Sequence, residues 1–182
     1  MSDQGGPRDY HSRLRYQLAM ARWLQRIKFE LFVTLSFRQN VGLDRARASL
    51  RHWFACLDSH YLGKNWRRRS TDQRTAAVAC PENIISNLHY HCLLKLPERS
   101  KSDVLAEQEW VLKRAWVRAA PGGTCHVQLI RDRGAARYAT KQVIRPNYWQ
   151  YFVLASEFHS AEADALQGQI ADNLRVLGAS DE

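Results

Sequence analysis

Leu88-His89-Tyr90-His91-Cys92-Leu93-Leu94 is the stretch on which the fold turns. In an extended chain successive side chains point to opposite faces. Leu88, Tyr90, Cys92 and Leu94 therefore share one face, and His89 and His91 lie side by side on the other. A strand that is apolar on one side and carries two imidazoles on the other belongs to a sheet packed against helices on one face, with chemistry on its open face. Two neutral ring nitrogens at that spacing can bind one divalent cation.

Working outward, Thr75 to Cys80 reads as a second strand, joined to the first through the turn-rich Pro81 to Asn87, and Pro97 closes the hairpin. Leu31 to Phe37 alternates again, with Leu31, Val33, Leu35 and Phe37 on one face and Phe32, Thr34 and Ser36 on the other, as expected of a central strand. Thr124 to Ile130 supplies a fourth. Helical spacing marks Asp9 to Lys28, a helix capped by Asp44 that carries Leu50, Trp53, Phe54, Leu57 and Tyr61 and stops at Gly63, and Ser102 to Arg118 with Val104 or Leu105, Trp110 or Val111 and Ala115 inward. Gly134 to Ile144, closed by Pro146, and Ala161 to Leu177 complete the helices. The order implies an α+β layer with a mostly antiparallel sheet. We divide the chain into a basic N-terminal helix (1–29), a central domain (30–150) and a helical C-terminal extension (151–182).

The 182 residues carry 27 Lys and Arg against 18 Asp and Glu, a net charge of +9, and this excess points to a polyanionic partner. The densest positive run is Lys64 to Arg69, where Trp66 stands between Lys64 and Arg67, Arg68 and Arg69; it is expected to track a nucleic-acid backbone. The first helix adds Arg13, Arg15, Arg22, Arg26 and Lys28. No run of about 18 apolar residues and no signal peptide is present, so a soluble cytoplasmic protein with no membrane partner is expected. Cys56, Cys80, Cys92 and Cys125 form no Cys-x-x-Cys pair and read as reduced core thiols. A zinc site built from Cys80, the two histidines and Cys92 or Cys125 is disfavoured, because alternation turns Cys92 away from His91.

Arg137-Tyr138-Ala139-Thr140-Lys141 places a tyrosine and a lysine at i and i+3, on one face of the expected helix. A His-x-His or a Tyr-x-x-Lys alone is common by chance. Their order along one basic chain is not. Phe32 to Phe37, His89-Tyr90-His91 and Tyr138 to Lys141 together resemble the three motifs of HUH endonucleases, closest to the single-tyrosine rolling-circle replication initiators of plasmids and phages, over roughly Leu31 to Val143. Transposases with a single tyrosine are related.

That resemblance implies a ferredoxin-like fold, a central antiparallel five-stranded sheet with helices on one face. It implies a site in which His89, His91 and a carboxylate hold Mg²⁺ or Mn²⁺, Tyr138 attacks the scissile phosphate and Lys141 stabilises the developing charge. Glu82 is the chosen third ligand, with His126 as the alternative. The donor set would bind Zn²⁺ or Co²⁺ at least as well. Single-stranded DNA with a hairpin at an origin is the implied substrate, a host helicase the implied partner, and Arg137, beside the tyrosine, is counted with Lys64, Trp66, Arg67, Arg68 and Arg69 as a DNA contact. The alternatives are a single-strand or hairpin DNA-binding module of the same fold that does not cut, and a transposase-type DNA-joining enzyme.

Overall fold

The structure, a computed structural model, describes residues 7–98, 105–145 and 148–159. The expected helix Ala161 to Leu177, the start of the Ser102 helix and the closure at Pro146 lie outside these residues.

Along the chain come α1 (Pro7–Arg26), β1 (Leu31–Ser36), α2 (Leu43–Leu62), β2 (Ala76–Glu82), β3 (His89–Lys95), α3 (Leu105–Ala119), β4 (Cys125–Leu129), the short α4 (Gly134–Ala139) and β5 (Val153–Leu154). The strands form one open sheet in the order β4-β1-β3-β2-β5, and every neighbouring pair is antiparallel. The histidine strand β3 is its centre, and β1 is paired on both sides as expected. Among the described residues no helix is long and apolar enough to cross a membrane.

Alternation sorts the sheet into two faces. Leu31, Val33 and Leu35 of β1, Ala77 and Ala79 of β2, Tyr90, Cys92 and Leu94 of β3 and Val127 of β4 face α2 and α3. There they meet Leu50, Trp53, Phe54 and Leu57 of α2 and Leu112, Ala115 and Trp116 of α3. Trp53 and Trp116 are fully buried and meet edge to face, their centroids 6.0 Å apart. The Trp53 indole N–H donates to the Leu112 carbonyl and that of Trp116 to the Ser36 carbonyl, so neither ring buries an unmet donor.

The expectation of helices on one face only is corrected. Met20, Ala21 and Leu24 of α1 and Ala136 and Ala139 of α4 pack on Val78, Cys80 and Leu93, on the opposite side of the sheet. Single-sequence periodicity tells that a helix has an apolar stripe but not which face of a sheet it covers. The second face is thus partly roofed, and α1 packs against it.

Several boundaries also differ. α2 is preceded by Gly42 with no side-chain cap, and Asp44 lies in its first turn, where its charge suits the helix dipole. Gly63 ends the helix in a left-handed conformation, φ 75°, as expected. On α3 the inward stripe is Leu112, Ala115 and Trp116, whereas Trp110 is mostly exposed and stacks under Arg114. β2 runs on through Pro81 and Glu82, which were expected in a turn. Pro81 pairs with Tyr90 beyond the short β5, which flanks only Val78 and Ala79, so its missing N–H is tolerated at an edge position. The turn shrinks to Asn83 to Asn87, both of which take left-handed φ near 55° (54° and 56°) that asparagine accepts.

Candidate metal and tyrosine site

The antiparallel register between β2 and β3 sets Glu82 opposite His89 and Cys80 opposite His91. Strand alternation turns Glu82, His89 and His91 to the α1 and α4 side. One ligand atom from each of the three lies within 4.8 Å of the others. The Glu82 carboxylate is the hub. Its Oε2 lies 2.7 Å from His91 Nε2 and 3.1 Å from His89 Nε2 and accepts from Lys141 Nζ at 2.8 Å, and Oε1 accepts from the Gln142 amide at 3.3 Å. Burial raises the pKa of Glu82, but the hydrogen bonds and charges of Lys141 and His91 outweigh it and hold the carboxyl at about 2. Burial lowers the pKa of His91 against the pull of Glu82, favouring the neutral ring a metal needs.

The far nitrogens of both rings are also held. His89 Nδ1 lies 3.1 Å from the Asn87 carbonyl oxygen, which can only accept, so Nδ1 donates there and Nε2 is the nitrogen turned to the site. His91 Nδ1 pairs with the Thr34 hydroxyl at 3.1 Å. Two imidazole nitrogens and a carboxylate oxygen whose outer partners fix their orientation suit a divalent cation. Adjacent ligands of an ion bound at about 2.1 Å stand roughly 3 Å apart, which matches the separations of 2.7 and 3.1 Å around Glu82.

Tyr138 stands beside this group. Its ring meets the His91 ring edge to face at 5.0 Å between centroids and the Phe32 ring at 5.8 Å, and Phe32 in turn stacks on His91 at 5.4 Å. The residue is half-exposed, so its phenol is reachable from solvent. The Lys141 ammonium lies 4.0 Å from the Tyr138 ring centroid while bonded to Glu82. Burial works against that cation, yet its hydrogen bonds to Glu82 and Tyr138 raise its pKa, so it stays charged. The shared helical face expected for these two residues arises differently. α4 ends at Ala139, Thr140 turns its hydroxyl back to the Ala136 carbonyl at 2.9 Å, and Lys141 opens a separate 3₁₀ turn.

The other sequence-derived candidates do not join this group. His126 is on β4, opposite Thr34 and so two strands away from His91; it is exposed and its Nε2 pairs with Gln128 at 3.1 Å. Cys92 lies on the opposite face, as alternation requires, and burial raises the pKa of all four free thiols, that of Cys125 to about 12, so they stay protonated. Trp66 sits in a short 3₁₀ turn, Trp66–Arg68, and is buried between the guanidinium groups of Arg67 and Arg74 at 4.6 and 4.5 Å from its ring centroid. The expected DNA contact at Trp66 is therefore corrected to a buried side chain sealed by cations. Lys64, Arg67, Arg68 and Arg69 are exposed, but Arg69 lines a cleft of about 430 Å³ with Ala76, Lys95 and Leu96, at the far end of β2 and β3 from Glu82. Six residue steps along the strand lead from Ala76 to Glu82, roughly 20 Å. Arg137 is exposed next to Tyr138.

Sequence reasoning missed Thr34, Phe32, Asn87 and Gln142. For the first two a signal existed, since alternation had already placed them on the non-core face of β1. For Asn87 and Gln142 there was none.

No family model, no curated protein and no solved structure matches the chain.

Proposed function

We propose that the chain is a metal-dependent endonuclease and strand transferase of the single-tyrosine HUH type, which nicks single-stranded DNA and remains linked to the 5′-phosphate through Tyr138. The observation that carries this reading is the convergence of Glu82, His89 and His91 within 4.8 Å with the Tyr138 ring packed against His91 and Lys141 between tyrosine and carboxylate. The chain order strand, helix, strand, strand, helix, strand with β4-β1-β3-β2 in the sheet supports a ferredoxin-like core. The order of the three motifs supports initiation of rolling-circle replication as its setting.

Glu82, His89 and His91 would hold the Mg²⁺ or Mn²⁺ ion, which supplies Lewis-acid neutralisation of the phosphate. The chain's own residues do the rest. Tyr138 Oη attacks phosphorus; the Oη–P bond forms, the P–O3′ bond breaks, the phenolic proton departs and the leaving 3′ oxygen takes up a proton. Energy of the diester is kept in the phosphotyrosine, so the 3′-hydroxyl of another strand can reverse the step. Lys141 stabilises charge on the phenolic oxygen and the phosphate. Thr34 and Asn87 orient the imidazoles, and Phe32 supports both His91 and Tyr138.

The test is a panel of labelled single-stranded oligonucleotides, with and without hairpins, incubated with Mn²⁺. The expected result is a covalent protein–DNA adduct that is absent in Tyr138→Phe and with chelator. Binding without an adduct across metals and substrates would leave a non-cutting DNA-binding module and sink the enzyme reading.

A further inference from the structure

We propose that the outer surface of α1 and α4 is the track that carries the phosphates of single-stranded DNA beyond the reacting one. The identity of the polyanion rests on the function proposed above; the surface rests on its own observations. α1 and α4 lie side by side on one sheet face, where Met20, Ala21 and Leu24 of one and Ala136 and Ala139 of the other share a core. Gln17 donates to the Arg137 carbonyl at 3.3 Å and Gln25 to the Arg133 carbonyl at 3.0 Å, so the two helices run antiparallel.

On α1 the buried residues Gln17, Met20, Ala21 and Leu24 point inward, and Arg22 and Arg26, one turn apart, are exposed on the opposite side. Arg133, which caps the start of α4, and Arg137 within it are exposed, also one turn apart. Among the described residues none of these four arginines takes part in an ion pair. Arg131 is exposed at the head of the same layer, and the nearby carboxylate of Asp132 is engaged by the Gly134 N–H at 2.7 Å.

The layer therefore presents guanidinium groups that form no ion pair among the described residues and that begin at Arg137, next to the candidate nucleophile. From Gln17 to Gln25 the α1 part extends about 12 Å, room for more than one phosphate. The run Lys64 to Arg69, which the sequence made the obvious candidate, lies at the other end of the sheet from Tyr138 with its tryptophan buried; Arg69 shares a cleft with Ile27, just past the end of α1, and so adjoins only the far end of this track. An unstructured chain of phosphates is the polyanion that fits, because guanidinium groups on two convex helices bind backbone charge without reading bases.

The test measures anisotropy of labelled oligo(dT) across a salt series. Arg22→Ala/Arg26→Ala combined with Arg133→Ala/Arg137→Ala is expected to weaken binding by roughly tenfold or more and to flatten the slope of log Kobs against log salt by about 3, given about 0.7 per phosphate contact on a single strand. A control pair on the opposite face, Arg45→Ala/Arg118→Ala, removes charge from exposed positions on α2 and α3 and should leave the slope unchanged. Thermal melting of each variant verifies folding. An unchanged slope in the quadruple variant, an equal loss per arginine in the control pair, or tighter binding of oligo(rU) through the same arginines overturns the proposal. Wild-type protein that binds oligo(dT) through these arginines yet never forms the Tyr138 adduct sustains the track and defeats only the nuclease reading.

Discussion

Thr34 shows how much of a metal site is decided one residue away from the ligands. Its hydroxyl is paired with His91 Nδ1, and it is the partner that holds this ring with Nε2 aimed at Glu82. Thr34→Val keeps the shape of the side chain and removes the hydroxyl. Mn²⁺ affinity measured by titration calorimetry should fall about 10- to 100-fold, with Glu82 and both histidines intact. An unchanged affinity would mean that the ring is held by its stacking on Phe32 alone. Glu82 itself is fixed by the register of two strands, which is why a residue seven positions before His89 becomes its direct partner.

At the scale of elements, two junctions hold the layers in place. Gly123 leads α3 into β4, and a methyl group there would sit 2.3 Å from the Ser36 carbonyl oxygen and 2.8 Å from Trp116 Nε1. Gly123→Ala must push the turn away from β1, and urea denaturation should show a loss of about 1–3 kcal/mol. At the other junction Asp58 of α2, fully buried, accepts from Arg74 Nε at 2.9 Å and from the Thr75 N–H at 2.8 Å, tying the helix to the start of β2. Asp58→Ala strands the Arg74 cation in the interior and should cost about 3–5 kcal/mol, whereas Asp58→Leu combined with Arg74→Met should recover much of it. A double variant as unstable as the single one would show that the lost hydrogen bond to Thr75, not the orphaned charge, is what matters.

For the whole molecule, the same buried charges give stability a pH dependence. The His159 ring is enclosed near Arg74 and Asp58, its Nε2 3.6 Å from Asp58 Oδ2 and without a hydrogen bond. Burial and then the Arg74 charge, against the attraction of Asp58, push its pKa down to about 4 from 6.5. The unfolded chain therefore binds the proton more readily than the folded one between these values, and unfolding free energy should fall as pH drops from about 6.5 towards 4. Carboxylates contribute at the lower end, so the comparison is with His159→Gln: its loss between pH 7 and pH 5 should be smaller than that of the wild type. Equal losses would assign the effect to other groups.

Strand alternation and helical spacing by themselves determined the chemistry-bearing residues and the core face. His89 and His91 opposite Tyr90 and Cys92, the buried row Leu31, Val33 and Leu35, and the apolar stripe of α2 are local consequences of two- and 3.6-residue periods, and they hold in the folded chain. The partner of the histidines was legible only as a choice between Glu82 and His126, because register is a property of two strands together. What tertiary structure alone decided is where layers meet. It roofed the second sheet face with α1 and α4, buried Trp66 between two arginines, and drew Val153 and Leu154 into a fifth strand too short to carry a period. It also brought Lys141 to Glu82 across a helix break, since contacts between distant segments depend on packing that no local pattern encodes.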